Sequence, residues 1–327
     1  KNVAIGNNAL KILNAGAEGF NTAVGFDAGK AMTTGTKNTI VGGIAGDHNT
    51  TGFNNVAMGY DALGANTASG AHVAIGFEAL KTLNSTTNTS QFNTAVGTQA
   101  GKLVTTGTFN TFIGGLAGDA LTDADFNVAV GTTALTLDEL GNKTTALGHA
   151  ALTSQNFETA TDTFNTAVGF GAGSANVTGK NNTYIGALVG DINTDGVDNV
   201  AVGGHGTYAA LGADTRGKFS TAMGVGALTA QNFTSATTSN NVAVGYFAGG
   251  VNVDGTGNTY LGSLAGDDST DGANNVAVGF HAGGGNHGNN NVFVGEGAAI
   301  AATGGTNTVV GSGACGGSFT ASGTTAM

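Results

Sequence analysis

Two aspartate-rich segments have residue types and a spacing that suit calcium. Both follow an Asp-x-polar-x-Asp-Gly pattern, which is the opening of an EF-hand loop. The candidate ligands are Asp191, Asn193 and Asp195 in the first segment, and Asp267, Ser269 and Asp271 in the second. The twelfth position of the first segment is Val202, where an EF-hand has a bidentate Glu. The alternative interpretation is an Asx-turn at a corner of the fold, where Asp, Asn and Gly are favoured.

A second set of candidates lies in short insertions rich in Gln, Asn and Phe. They interrupt the repeat described below, after Gly76, Gly148 and Gly224, where the repeat interval lengthens to 21 residues. The candidates are Gln91, Phe92, Gln155, Asn156, Phe157, Gln231, Asn232 and Phe233. Projecting aromatic and amide side chains would suit contact with a receptor or glycan. In the alternative interpretation, the Phe rings pack against a neighbouring coil or chain.

Motifs for catalysis are absent from the sequence. It contains no G-x-S-x-G nucleophile motif and no phosphate-binding G-K-[ST] loop. The six histidines form no H-x-H or H-x-x-x-H pair, and Cys315 is the single cysteine. His72 and His149 are expected at the surface or at an interface. We therefore expect no enzymatic activity and no resident cofactor apart from the calcium considered above.

The composition excludes several classes of protein. Of 327 residues 59 are Gly, but Pro is absent and Gly has no three-residue period, which excludes collagen. A single cysteine excludes a disulfide scaffold. Acidic residues outnumber basic ones 21 to 10, which gives a net charge of −11 and argues against nucleic acid as a partner. No apolar run reaches about 18 residues, so we expect no membrane insertion.

One short motif recurs along nearly the whole chain. It consists of Asn, then Thr or Val, a small or aromatic residue, an aliphatic residue and Gly, as in N-T-A-V-G. The closing glycines are Gly6, Gly25, Gly42, Gly59, Gly76, Gly97, Gly114, Gly131, Gly148, Gly169, Gly186, Gly203, Gly224, Gly245, Gly262, Gly279, Gly295 and Gly311. Most intervals are 17 residues, within a range of 16 to 21. Eighteen copies make the repeat the main determinant of the fold.

A larger period of four copies overlies the short one. Gly25, Gly97 and Gly169 are 72 residues apart, and Gly245 follows after 76. Within each block, the residues after the motif change in a fixed order. The first copy carries Ala-Gly, the second Gly-Asp, and the third and fourth mostly Ala-Leu. Duplication of a four-copy block is the simplest history of this pattern.

The repeat predicts an all-β fold, a β-solenoid of about 18 coils. A period of 17 residues is too short for helical repeats, which need about 33 or more, and it suits two short strands with two corners. Within N-T-A-V-G, Thr and Val should point to one side and Ala to the other. Ala and Val should fill a narrow interior, and the Asn residues should form a ladder. Residues 1–315 are predicted to form the solenoid, and residues 316–327 an irregular Gly/Ser-rich end.

The motif N-[TV]-A-[IV]-G-x-x-A resembles the repeats of bacteriophage tail fibres and, less closely, the head repeats of trimeric autotransporter adhesins. The resemblance covers residues 2 to about 315. It implies a left-handed parallel β-roll, with three identical chains side by side in a shaft or receptor-binding region. It further implies a host cell-surface receptor or glycan as partner, and a location on a virion surface, outside the cell or on the cell surface. Relative to autotransporter heads, the turns are longer and Thr replaces Ser.

Three functions are consistent with the sequence. The first is a structural, receptor-binding and non-catalytic segment of a homotrimeric extracellular fibre, either a phage tail fibre or a surface adhesin. The second is a purely structural, self-assembling extracellular filament. The third is an ice-binding solenoid, suggested by the T-T-G-T runs at residues 33–36 and 105–108 and weakened by the loss of these Thr rows in later blocks.

Overall fold

The computed structural model describes residues 1–317, 320 and 322–327. The chain divides into two compact units, Lys1–Phe164 and Asn165–Met327. Both units are parallel β-solenoids, with about 19 turns in the whole chain and almost no helix. The predicted all-β solenoid is therefore confirmed.

The first unit contains nine strands of three residues, one in each copy of the motif. They are Val3–Ile5, Thr22–Val24, Thr39–Val41, Val56–Met58, Val73–Ile75, Thr94–Val96, Thr111–Ile113, Val128–Val130 and Thr145–Leu147. Each pairs in parallel with the equivalent strand of the next coil, so that identical motif positions lie side by side. A short parallel pair, Gly141–Asn142 with Thr161–Asp162, and the 3-10 helix Gly16–Glu18 complete this unit.

The second unit repeats this arrangement. Its motif strands are Thr166–Val168, Thr183–Ile185, Val200–Val202, Thr221–Met223, Val242–Val244, Thr259–Leu261, Val276–Val278, Val292–Val294 and Thr308–Val310. Gly217–Lys218 pairs with Thr237–Thr238, and Gly206–Tyr208 is a 3-10 helix. Within the Gly/Ser-rich end, Thr325–Ala326 forms a further strand that pairs in parallel with Thr308 and Val309.

The strands alternate between interior and surface as predicted. From Thr22–Val24 to Thr308–Val310, the central residue of each motif strand is at most 1% exposed, whereas its two neighbours face outward and are partly or fully exposed. The prediction that Val fills the interior is wrong for most coils, because the strand valines point outward. The interior consists mainly of Ala, with larger side chains at regular positions. Extended backbone with a period of two enforces this separation.

Buried asparagines connect successive coils. Asn38 accepts a hydrogen bond at Oδ1 from the backbone N–H of Asn55 (3.0 Å), and its Nδ2 donates to the carbonyl of Gly52 (2.8 Å). The same pair of bonds links Asn110 with Asn127 and Ala124, and equivalent bonds recur in the second unit. Each amide thus pairs backbone groups that the corner leaves without a ladder partner. The predicted Asn ladder is present, and most of its rungs are bonds from side chain to backbone, whereas Asn38 also donates to the Asn21 side chain (3.1 Å).

The four-copy order reflects how the interior is filled. In the second coil of a block, the central strand residue is large, and Phe112 is an example. A Cβ on Gly101 would lie 2.6 Å from the Phe112 ring, and one on Gly118 would lie 2.5 Å from it. Where the strand instead carries Ala, buried leucines such as Leu63 and Leu80 follow the motif. Glycines in the same and the preceding coil thus make room for the large strand residue, as close packing requires.

The position that closes the motif requires Gly because of its backbone conformation. At Gly25 φ is +142°, a conformation that residues with a Cβ rarely adopt. A Cβ there would also overlap the carbonyl oxygen of Gly42 in the next coil. Only Gly permits both the turn out of the strand and the close approach of successive coils.

Candidate interaction surface

The outward side of the motif strands forms the first candidate surface. We call it the outer strand face, meaning the first and third residues of every motif strand. All eighteen first positions are Thr or Val, and all eighteen third positions are Val, Ile, Leu or Met, so the face carries no charged residue. Several side chains are well exposed, including Ile113 at 41% and Leu147 at 44% in the first unit and Leu261 at 49% in the second. An uncharged apolar face that recurs in every coil is typical of an interaction surface.

A row of aromatic side chains lies beside this face in the first unit. We call it the aromatic ridge: Phe92, Phe109, Phe126, Lys143 and Phe164, which occupy the same position in five successive coils, directly before the buried polar residue of the motif. The rings of Phe92 and Phe109 stack with centroids 5.7 Å apart, and those of Phe109 and Phe126 with centroids 5.1 Å apart. The Lys143 ammonium lies 5.2 Å from the Phe164 ring centroid, a cation–π distance.

The ridge residues have unusual backbone and exposure. The four Phe residues have φ between +51° and +60°, a left-handed conformation that bulky residues seldom adopt. Their side chains are 47–56% exposed. In the second unit, the same position is mostly occupied by small or polar residues, such as Asn181, Asp198 and Asn240, and Phe219 is its only Phe. The ridge is therefore a local feature of the first unit.

Three of the predicted receptor-contact residues lie in the interior. Gln91, Gln155 and Gln231 are at most 6% exposed. Gln155 donates through Nε2 to Asp138 (2.6 Å) and to the Thr144 hydroxyl (3.0 Å). Gln231 makes the equivalent bonds to Asp214 (2.9 Å) and Ser220 (2.8 Å). These glutamines therefore satisfy buried polar groups at coils where Asn is missing from the ladder, and they do not face a receptor.

The other five members of this set are divided between interior and surface. Phe157 and Phe233 are 8% and 6% exposed, so their rings pack within the chain, as in the alternative interpretation of these insertions. Asn156 is half-buried, Asn232 is exposed, and Phe92 is 56% exposed in the aromatic ridge.

Sequence reasoning missed the other three aromatic members of the ridge: Phe109, Phe126 and Phe164. Their signal was available, because Phe directly precedes the motif Asn in all three copies. The motif register would therefore have identified the whole ridge.

His72 is also placed differently from the prediction. It occupies the ladder position of its coil, is fully buried, and its Nε2 lies 3.0 Å from the Ser69 hydroxyl. Burial lowers the pKa of His72 to about 4. His149, by contrast, is exposed. Burial also raises the pKa of Asp138 and of Asp214, the carboxylates that accept from the buried glutamines.

The candidate calcium ligands make contacts within the chain. Asn193 is buried, and its Oδ1 accepts hydrogen bonds from the Gly196 N–H (3.0 Å) and the Tyr184 hydroxyl (3.2 Å). Asp195 is 3.2 Å from the Arg216 guanidinium. The bond to Gly196 is the Asx-turn of the alternative interpretation.

The remaining candidates differ in burial along the pattern. Burial raises the pKa of Asp191 and of Asp267, and Ser269 is fully buried, whereas Asp271 is exposed. In the part of the chain that the structure describes, no group of three or more His, Cys, Asp or Glu residues is placed to hold a metal. Calcium binding stays a prediction that a titration would test.

A charged groove lies at another corner of the first unit. Lys81 is 2.9 Å from Asp61 and 2.7 Å from Glu78, and Lys102 is 2.9 Å from Glu78. The Lys81 ammonium beside Glu78 lowers the pKa of that carboxyl to about 2. Lys81, Asp61 and His48 line an open cavity of about 280 Å³. Because its charges are paired with one another, the groove is held together by ion pairs spanning adjacent coils.

No helix in the described residues is long and apolar enough to cross a membrane. No protein-family model matches the chain, and no curated protein is significantly similar to it in sequence. The outer strand face and the aromatic ridge are thus the two surfaces from which a function can be argued.

Proposed function

We propose that the chain is a structural and receptor-binding segment of a homotrimeric extracellular fibre, either a bacteriophage tail fibre or a surface adhesin. In this role it is non-catalytic and located on a virion, on a cell surface or outside the cell. Three copies associate through their outer strand faces, and the assembled fibre carries repeated contacts to a host receptor or glycan. Repetition allows weak single contacts to add through avidity.

The observation that carries this proposal is the outer strand face. Its 36 strand positions hold no charged residue, although the chain has 31 charged residues in all. A charge-free surface is unusual for a protein of this acidity, since charged residues are depleted mainly at the centres of protein interfaces. The outer side chains include Ile, Leu and Met at 39–60% exposure, which association would remove from water.

The first test is the mass of the chain in solution by light scattering coupled to size exclusion. A mass close to three times 31.7 kDa supports the homotrimer. A monomer would overturn the trimer and favour the ice-binding alternative, which thermal hysteresis measurements would then examine. Large heterogeneous species would favour the purely structural filament.

A matched pair of variants links the mass to the proposed face. Val96→Glu, Ile113→Glu and Val130→Glu together place three carboxylates on adjacent coils of the outer strand face. The control carries Glu at Ile12, Leu103 and Leu137, which are exposed apolar residues outside that face. We expect the first variant to lose the trimer and the control to keep it, with the β-sheet circular dichroism of both retained. A trimer that survives the first variant would refute this choice of interface.

A further inference from the structure

The aromatic ridge is not explained by association through the outer strand face. That face has the same character in both units, whereas Phe fills the ridge position of three successive coils only within residues 92–164. Phe20 and Phe219, at the same repeat position elsewhere, have no Phe at that position in the coils next to them. An assembly contact that repeats with every coil would call for the same residues in every coil. The ridge therefore has the distribution of a local binding site.

The ridge also places bulky residues where the fold has a left-handed backbone. This backbone recurs at the same position in other coils, and Asn tolerates it best after Gly. The fold uses Asn at this position in five coils: Asn54, Asn181, Asn240, Asn274 and Asn290. Phe92, Phe109 and Phe126 adopt this unfavourable backbone conformation, and about half of each side chain is exposed to water. Strain and apolar exposure in one row indicate a contact made outside the chain.

The spacing of the rings selects the class of ligand. Centroids 5.1 and 5.7 Å apart, with planes within 22° of parallel, form a regular ladder along successive coils. An extended peptide advances about 3.3 Å per residue and does not keep step with this ladder. One pyranose residue of an extended glycan advances by nearly one coil. Because the rings stack on one another, the apolar C–H face of each sugar ring can then pack against the exposed part of one Phe side chain.

The charges of the ridge and of the whole chain favour a neutral ligand over an acidic one. The only cation of the ridge, Lys143, is paired with Asp162 at 2.5 Å, so the ridge has no net positive charge to attract an acidic polymer. The chain as a whole carries −11, which repels polyanions. A polar row runs directly beside the rings, because Thr108 donates to Asp125 (2.8 Å) and the Asp125 N–H donates to Asn142 (2.7 Å). The hydroxyl, carboxylate and amide groups of this row can form hydrogen bonds with sugar hydroxyls.

We infer that the aromatic ridge binds an extended, uncharged glycan chain, whose pyranose rings lie on Phe92, Phe109 and Phe126 and whose hydroxyls bond to the row Thr108, Asp125 and Asn142. The inference rests on the proposed receptor-binding function and adds its site and ligand class. Each ring contributes a small apolar contact, so affinity grows with glycan length until the ladder is filled.

The test is saturation-transfer NMR and titration with cellohexaose, maltohexaose and chitohexaose, and with hyaluronan hexasaccharide as the acidic comparison. The variant is Phe109→Asn, which removes the central ring and relieves the left-handed strain, so loss of folding is not expected. The control is Phe219→Asn, at the same repeat position in the second unit. We expect transfer to pyranose ring protons of at least one neutral hexasaccharide, about tenfold weaker binding by Phe109→Asn, and unchanged binding by Phe219→Asn.

Several results would overturn the inference. These are no binding of any neutral hexasaccharide, stronger binding of the acidic one, or equal effects of the two variants. A fall in solution mass caused by Phe109→Asn would assign the ridge to chain association instead. A wild-type trimer that binds no glycan removes the ridge proposal and leaves the fibre assembly intact. A wild-type monomer that binds glycan removes the trimer and leaves the ridge as the binding site.

Discussion

His72 gives a quantitative test of how the ladder is built. The folded pKa of His72 is about 4, against 6.5 for a free imidazole, because burial disfavours the charged form. Between these two values the unfolded chain binds a proton that the folded chain does not. Stability is therefore fully present above the unfolded pKa and is lost as pH falls from 6.5 to 4. A difference of about 2.5 units corresponds to about 3 kcal/mol per chain.

The perturbation is His72→Asn, which places at this coil the residue that the ladder carries in the neighbouring coils. At pH 7 we expect the free energy of unfolding of the variant to lie within about 1 kcal/mol of that of the natural chain, because the backbone N–H of residue 72 still donates to Asn55. On moving to pH 4.5, the natural chain should lose about 2 kcal/mol more than the variant. Carboxylates titrate equally in both proteins and cancel in this comparison.

The assay is denaturant unfolding followed by circular dichroism at a fixed protein concentration and at several pH values from 7 to 4.5. The quantity compared is the change in unfolding free energy with pH, natural chain minus variant. A difference below about 0.5 kcal/mol over this range would refute the burial of a neutral His72. A natural chain that became more stable on acidification relative to the variant would reverse the sign and refute the same reasoning.

Two further substitutions test the packing and the ladder. Gly118→Ala should destabilise the chain by about 1–3 kcal/mol, because its Cβ would meet the Phe112 ring and its φ of +58° disfavours a side chain. Gly115→Ala has its nearest neighbour at 3.9 Å and no positive φ, and should be nearly neutral by thermal unfolding. If both alanines are tolerated, volume exchange does not set the four-copy order. Asn110→Ala should lower the free energy of unfolding by about 2–4 kcal/mol in denaturant unfolding, because the Asn127 N–H and the Ala124 carbonyl lose their hydrogen-bond partner. Thr98→Ala, at an exposed position, serves as its control. Equal midpoints for these two variants would contradict the ladder's contribution.

The fold could be predicted from sequence because its determinants are local and repeated eighteen times. The motif specifies a short strand by alternation and a corner by Gly, and the interval specifies the length of a coil. Copies such as Thr22–Val24 and Thr39–Val41 then pair in register because each is the strand of one motif copy, at the same position in its coil. The same alternation places Thr and Val on the side opposite Ala, but the outward direction of the strand valines was decided by the structure, against the prediction.

Placement of the candidate site was less predictable, because it depends on neighbours 17 to 21 residues away. Gln155 and Phe92 occur in similar insertions, yet Gln155 bonds to Asp138 in the interior and Phe92 stacks on Phe109 at the surface. Position in the motif does separate them, because Phe92 directly precedes the motif Asn93 whereas Gln155 lies ten residues before Asn165. Which one is buried depends on whether the adjacent coil leaves a polar group without a partner.

The sequence by itself determined the period, the strands and the corner glycines, all of which depend on residue type at a fixed position. The tertiary structure alone decided that Gly101 and Gly118 make room for Phe112, that His72 replaces a ladder Asn, and that successive Phe residues form one ridge. Stacking converts equal positions in separate copies into neighbours about 5 Å apart. The packing, the hydrogen bonds and the exposure of each side chain then depend on residues in the adjacent coils. A single copy of the motif does not contain that information.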